Sequence, residues 1–175
     1  MGFDLSGLNP KMNVKLDDTS VYGMIESIQD WKQRWEMQDQ LSKEDRTKYW
    51  EQMDKYHDDN PGIYFRNNVW WWRPLWEFVC EHCDDILTEK EMTSGSYNDG
   101  RKINEKKSID IADRLMDLIE DGTVDRYSKD YEKQRAKMEK SDDKDVKFMA
   151  SYPFSKDNVE RFALFCKESG GFTIC

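Results

Sequence analysis

Residues 61–76 constrain this chain more than any other stretch. They hold six aromatic residues, Tyr64, Phe65, Trp70, Trp71, Trp72 and Trp76, with Arg66 and Arg73 and no acidic residue. Side chains of that size build a core from few positions. Residues 63–73 read as extended chain, because Arg73 precedes a proline and α geometry is disfavoured there. Pro74 suits the first turn of a following helix. In extended chain neighbouring side chains alternate, so Trp70 and Trp72 share one face and Val69 and Trp71 the other. Two readings follow. Either both faces enter the core, with Arg66 and Arg73 pairing to carboxylates. Or one face stays open as a site where Trp and Arg stack on a flat anionic ligand such as a nucleotide. Asn67 and Asn68 supply polar groups to such a site or act as turn residues.

The flanking sequence is largely helical. In residues 24–40, Ile25, Ile28, Trp31 and Trp35 recur at three- and four-residue spacing and predict one apolar stripe. A second helix is expected over 43–58, capped by Ser42, with Tyr49, Trp50, Met53 and Tyr56 on its apolar face. The two read as a helical hairpin, 24–58, inserted into a single domain of 1–175 and closed by Asn60-Pro61-Gly62. After Pro74 a helix to about Leu87 carries Leu75, Val79, His82 and Ile86 on one stripe. Residues 93–101 read as a loop with an Asp-Gly turn. Asn104 caps a helix to Asp121 that faces Ile109, Ala112, Leu115, Met116 and Ile119 to the core, and Gly122 stops it. A charged helix over 123–140 is anchored by Tyr127 and Tyr131, and 139–147 reads as mobile. Ser155 caps a helix to about Glu168 that buries Val159, Phe162, Ala163 and Cys166. Residues 3–8 alternate like a short edge strand or an extended arm, and 172–175 read as a terminal strand. The fold class is therefore α+β, helix-dominated, with a small sheet from the chain ends and residues 63–72.

Size and charge narrow the function. A chain of 175 residues buries enough surface to fold without metal or disulfide. Its net charge of −9 argues against a main role in gripping a phosphate backbone. The start Met1-Gly2-Phe3-Asp4-Leu5 lacks the basic and apolar regions of a signal peptide. Its likeness to a myristoylation start is weak. No stretch approaches the ~20 apolar residues of a membrane span. These points predict a cytoplasmic protein without membrane contact, and its four cysteines, Cys80, Cys83, Cys166 and Cys175, read as reduced thiols.

Cys80-Glu81-His82-Cys83 invites a metal reading, but Cys166 and Cys175 form no second paired knuckle, so no metal and no cofactor are expected. Only His57 and His82 are available as imidazoles, and no nucleophile elbow, phosphate-binding glycine loop or calcium-loop spacing occurs. No catalytic residue is assigned. Tyr97, Asn98 and Asp99 form a loop that serves either as a site wall or as a plain turn. The candidate ligand-binding set is Arg66, Asn67, Asn68, Trp70, Trp72, Arg73, Tyr97, Asn98 and Asp99.

The start Met1-Gly2-Phe3-Asp4 with Gly7, the run Tyr64-Phe65-Arg66-Asn67-Asn68-Val69-Trp70-Trp71-Trp72-Arg73-Pro74-Leu75-Trp76, the loop Tyr97-Asn98-Asp99-Gly100 and the end Ser169-Gly170-Gly171-Phe172-Thr173-Ile174-Cys175 resemble a group of small uncharacterised proteins of tailed bacteriophages and some bacteria. The resemblance covers most of the chain outside 24–58 and 125–147. It implies a phage accessory protein working in the host cytoplasm and brings no activity or site residues. The expectation is a non-catalytic protein that binds a host protein or a small nucleotide-like ligand. An enzyme acting on a nucleotide-like substrate at the same aromatic and Arg site, or a structural component, are the alternatives. The oligomeric state is left open.

Overall fold

A computed structural model describes residues 2–175; Met1, part of the start read above, lies outside the described residues. The elements in chain order are β1 (Gly2–Gly7), α1 (Val21–Glu26), α2 (Trp31–Asp39), α3 (Lys43–Asp59), β2 (Tyr64–Asn68), α4 (Val69–His82), α5 (Glu89–Ser94), β3 (Arg101–Asn104), α6 (Glu105–Glu120), α7 (Thr123–Met138), α8 (Lys144–Met149), α9 (Lys156–Glu168) and β4 (Gly171–Ile174). The fold is α+β and helix-dominated. Contacts divide the chain into two compact units, Met1–Lys11 with Pro61–Cys175, and Met12–Asn60. The second unit is wider in sequence than the 24–58 hairpin.

The larger unit is built on an antiparallel sheet of order β2-β1-β4-β3. Leu5 stands opposite both Phe65 and Ile174, and Ile103 opposite Phe172. The strand period of two puts Phe3, Leu5, Phe65, Ile103, Phe172 and Ile174 on one face, and all are buried. Helices α4, α6 and α9 cover that face, and Trp72, Phe78, Leu115, Phe162 and Phe165 fill the space between. The alternate residues Asp4, Arg66 and Tyr64 lie on the other face, where Tyr64 donates to Asp4 and Arg66 pairs with it at 3.5 Å.

Several expectations need correction. The extended run ends at Asn68, and Trp70, Trp71 and Trp72 are helical. The Asn68 carboxamide oxygen accepts from the N–H groups of Trp70 (3.0 Å) and Trp71 (3.2 Å), so it nucleates α4 well before Pro74. Pro74 then sits inside the helix, where its missing N–H and the restriction on Arg73 both cost stability. Burying Trp72, Leu75, Trp76, Phe78 and Val79 along this helix outweighs that cost. Trp70 and Trp72 consequently do not share a face.

In α6 the buried positions are Ser108, Ile111, Ala112 and Leu115, whereas Ile109 and Met116 are exposed. The stripe turns onto Ser108 because its hydroxyl donates to the Cys166 carbonyl of α9 at 2.7 Å, and a small residue lets the two helices approach. The expected loop 93–101 contains the end of α5 and the start of β3. Of the four residues in β3 only Ile103 is buried, so the strand carries no visible alternation. Residues 139–147, read as mobile, include the start of α8, which Asp143 caps by accepting from Asp145 (2.8 Å) and Val146 (3.3 Å). Gly122, with φ of +77°, makes the left-handed turn between α6 and α7.

In the smaller unit the expected helix over 24–40 is two helices. Asp30 accepts from the N–H groups of Lys32 (2.9 Å) and Gln33 (3.0 Å) and starts α2 afresh. Tyr22, Ile25 and Tyr49 form this unit's small core, flanked by Leu16, Val21, Leu41, Met53 and Tyr56. Asn60 is fully buried, and its side chain ties the unit's ends by accepting from the N–H groups of Asn13 and Val14 at 2.8 and 2.9 Å.

Candidate functional site

The tryptophan segment is mainly core. Trp72 is fully buried, stacked between Phe3 (5.3 Å) and Trp76 (5.2 Å), and its indole N–H donates to the Gly95 carbonyl at 2.6 Å. The Trp76 indole donates to the Met92 carbonyl at 2.8 Å. With both polar handles satisfied by backbone, these indoles are fixed structural pieces. Gly95 belongs to the same arrangement, since a Cβ there would lie 1.9 Å from the Trp76 ring. Trp70 is half-buried against Tyr152 (4.8 Å) and Phe148 (5.4 Å).

The other predicted residues disperse. Asn67 is buried and donates to Asn158 at 2.9 Å, and Asn68 caps α4. Arg66 is exposed on the sheet beside Asp4. Asn98 donates to the Gly2 carbonyl at 2.8 Å, and Asp99 accepts from the Arg101 N–H at 3.0 Å within the turn. Three of the nine, Trp72, Arg73 and Tyr97, come together around one cleft of about 290 Å³, completed by Trp76, Glu77, Cys80 and Ser96. Arg73 is exposed, donates to the Tyr152 hydroxyl at 3.1 Å and lies over its ring. Tyr97 is 65% exposed at the rim. The cleft thus offers one free aromatic ring, one guanidinium and one carboxylate above an indole floor.

A second aromatic surface was not anticipated. Trp31 and Trp35, expected on one apolar stripe with Ile25 and Ile28, are 70 and 68% exposed, and Trp50 is 46% exposed. Helix α2 buries none of its residues. A nine-residue helix gains little from propensity alone. It is held by the Asp30 cap and by Arg34, which pairs with Glu26 (2.9 Å) and donates to the carbonyls of Glu26 (3.3 Å) and Ile28 (2.9 Å). Those anchors hold the helix with its indoles outward. Trp35, Gln38, Asp39, Arg46 and Trp50 surround an open recess of about 340 Å³. The sequence did carry a signal: the stripe of Trp31 and Trp35 continues into Gln38 and Asp39, which no core stripe would do.

Three of the four thiols, Cys80, Cys83 and Cys166, are held unreactive by their surroundings, whereas Cys175 is exposed. Burial pushes Cys80 and Cys83 up to about 12 and fully buried Cys166 well above the ordinary thiol value, so all three stay protonated at neutral pH. Among the described residues no group of three or more His, Cys, Asp or Glu side chains could hold a metal ion, and no helix is long and apolar enough to cross a membrane. Compared with known proteins, the chain matches no family model, no curated protein and no solved structure.

Proposed function

We propose that this is a non-catalytic binding protein that docks a partner protein through Trp31, Trp35 and Trp50. The observation that carries the reading is the exposure of these three indoles on the smaller unit. Large aromatics left in water contribute nothing to folding, and Trp is the residue most enriched at binding hot spots. The resemblance of the tryptophan segment and chain ends to bacteriophage proteins supports a phage accessory factor whose partner belongs to the host cytoplasm. The test is a photo-crosslinking amino acid placed at position 35 in bacterial cells. One stoichiometric host protein should crosslink from position 35, lose the crosslink when Trp31 and Trp50 are both alanine, and be absent when the probe sits at Lys140. Equal crosslinking from both positions would overturn the reading.

A second reading rests on the cleft beside α4. Its size suits a single ring system, and Arg73 and Tyr97 supply an anion contact and a stacking surface for a small nucleotide-like ligand. Calorimetric titration with nucleoside monophosphates should then show binding that weakens at least about tenfold in Arg73→Ala. No heat with any of the four bases would remove this reading.

A further inference from the structure

We infer that the tryptophan surface of the smaller unit recognises cationic side chains, so that its partner presents a segment rich in Lys and Arg. This rests on the protein-docking reading above and adds the chemistry of the partner.

Charge supplies the first argument. The unit Met12–Asn60 contains seven Lys and Arg against twelve Asp and Glu, a net of −5. The rest of the chain, with twenty against twenty-four, has −4 over far more residues. The excess includes carboxylates beside the indoles. Glu36 follows Trp35, Glu51 follows Trp50, and Asp39 lies one turn beyond Trp35 in the wall of the recess. None of these three side chains is among the ion pairs of the described residues, whereas Glu26, Glu44, Asp45 and Asp59 are.

The indoles supply the second. The face of a tryptophan ring carries negative potential and attracts an ammonium or guanidinium. The protein already shows this contact on the same surface, where the Lys32 ammonium lies 5.8 Å from the Trp31 ring centre. Trp35 and Trp50 face the recess with no cation recorded over either ring among the described residues.

Among the described residues Arg46 is the one cation in the recess wall. Its guanidinium donates to the Asp39 carbonyl at 2.9 Å, at the C-terminal end of α2, where a positive charge also answers the helix dipole. It is therefore spent on holding α2 to α3, and it gives the inference a diagnostic sign. If cations enter the recess, replacing Arg46 by Gln strengthens binding. If anions enter, the same change weakens it.

The experiment follows labelled deca-lysine, deca-arginine and deca-glutamate peptides by fluorescence anisotropy against the full chain. The cationic peptides should bind and deca-glutamate should not. The double variant Trp35→Ala/Trp50→Ala keeps the net charge, so a loss of about tenfold in it separates the indole site from general attraction to an acidic protein. Asp39→Asn should also weaken binding, and Arg46→Gln should tighten it. Equal affinity of the double variant, tighter binding of deca-glutamate, or a concentration-dependent dimer abolished by Trp35→Ala would each overturn the inference. If the cationic peptides fail while the position-35 crosslink persists, the docking reading stands and only the partner chemistry is wrong. Circular dichroism and a melt of each variant establish that it is folded.

Discussion

Two groups of tryptophans in this chain have the same chemistry and opposite uses. In the larger unit Trp72 and Trp76 stack on each other inside the core and spend their indole N–H groups on the carbonyls of Gly95 and Met92. In the smaller unit Trp31 and Trp35 stand on a helix that buries nothing and is held by a cap and two arginines, Arg34 and Arg46. The difference teaches that aromatic content does not locate a site; what surrounds each ring does. The α4 stripe continues through Leu75 and Val79, all buried, whereas the α2 stripe runs out into Gln38 and Asp39.

The sharpest way to break the contrast is a matched pair of truncations. Trp72→Ala removes a fully buried ring and its hydrogen bond and should cost about 3–5 kcal/mol, measured by urea denaturation. Trp35→Ala should stay within about 0.5 kcal/mol of the parent. Similar losses from both would erase the distinction.

A smaller effect is expected at Gly95. Alanine there meets the Trp76 ring and should destabilise by about 1–3 kcal/mol through overpacking, read as a drop in melting temperature; an unchanged melt would mean that the ring gives way freely.

Acid sensitivity sharpens the comparison further. Burial tends to raise the Glu91 carboxyl, but Lys107 and the Thr88 N–H and hydroxyl win and hold it below its ordinary 4.5. A depressed folded value means that the stabilisation is complete above the unfolded value and lost as pH falls through the folded one. Glu91→Gln should therefore lower stability at pH 7 and flatten its fall below about pH 4.5. An unchanged acid limb would show that this pair contributes nothing.

The mildest test leaves the fold untouched. In the native protein Cys175, exposed at the chain end, should react with a thiol reagent at pH 8 well before Cys80, and Cys83 and Cys166 should react only on unfolding. Early labelling of Cys83 would mean that the larger unit opens locally.

Much of this was readable from sequence where a local rule and the tertiary demand agreed. Ser42, Asn104 and Ser155 cap helices as their positions suggest, and Val159, Phe162, Ala163 and Cys166 are the buried stripe of α9. The terminal strands and their sheet with a segment inside 63–72 were expected, and in that sheet 64–68 pairs with the N-terminal strand. Legibility failed where two local rules conflicted. Pro74 argued for a late helix start, whereas Asn68, read from sequence as a site or turn residue, caps the helix early and lets Trp72 be buried along it. It failed again at Trp31 and Trp35, whose spacing alone looks like core. Of the predicted site, Arg73, Trp72 and Tyr97 meet at one cleft, since α4 spacing and the turn after α5 bring them there. Arg66, Asn67 and Asn68 do not, because a strand and a cap direct them elsewhere.

The division of the tryptophans is tested most directly by the indole region of a ¹H–¹⁵N spectrum, where all seven Trp side chains report separately. Recorded with solvent-exchange filtering, before and after addition of deca-lysine, it should show slow exchange for Trp72 and Trp76 and fast exchange for Trp31 and Trp35. The peptide should shift Trp35 and Trp50 and leave Trp72 and Trp76 in place. Protected Trp31 and Trp35 indoles in the free protein, or peptide-induced shifts confined to Trp72 and Trp76, would contradict the account.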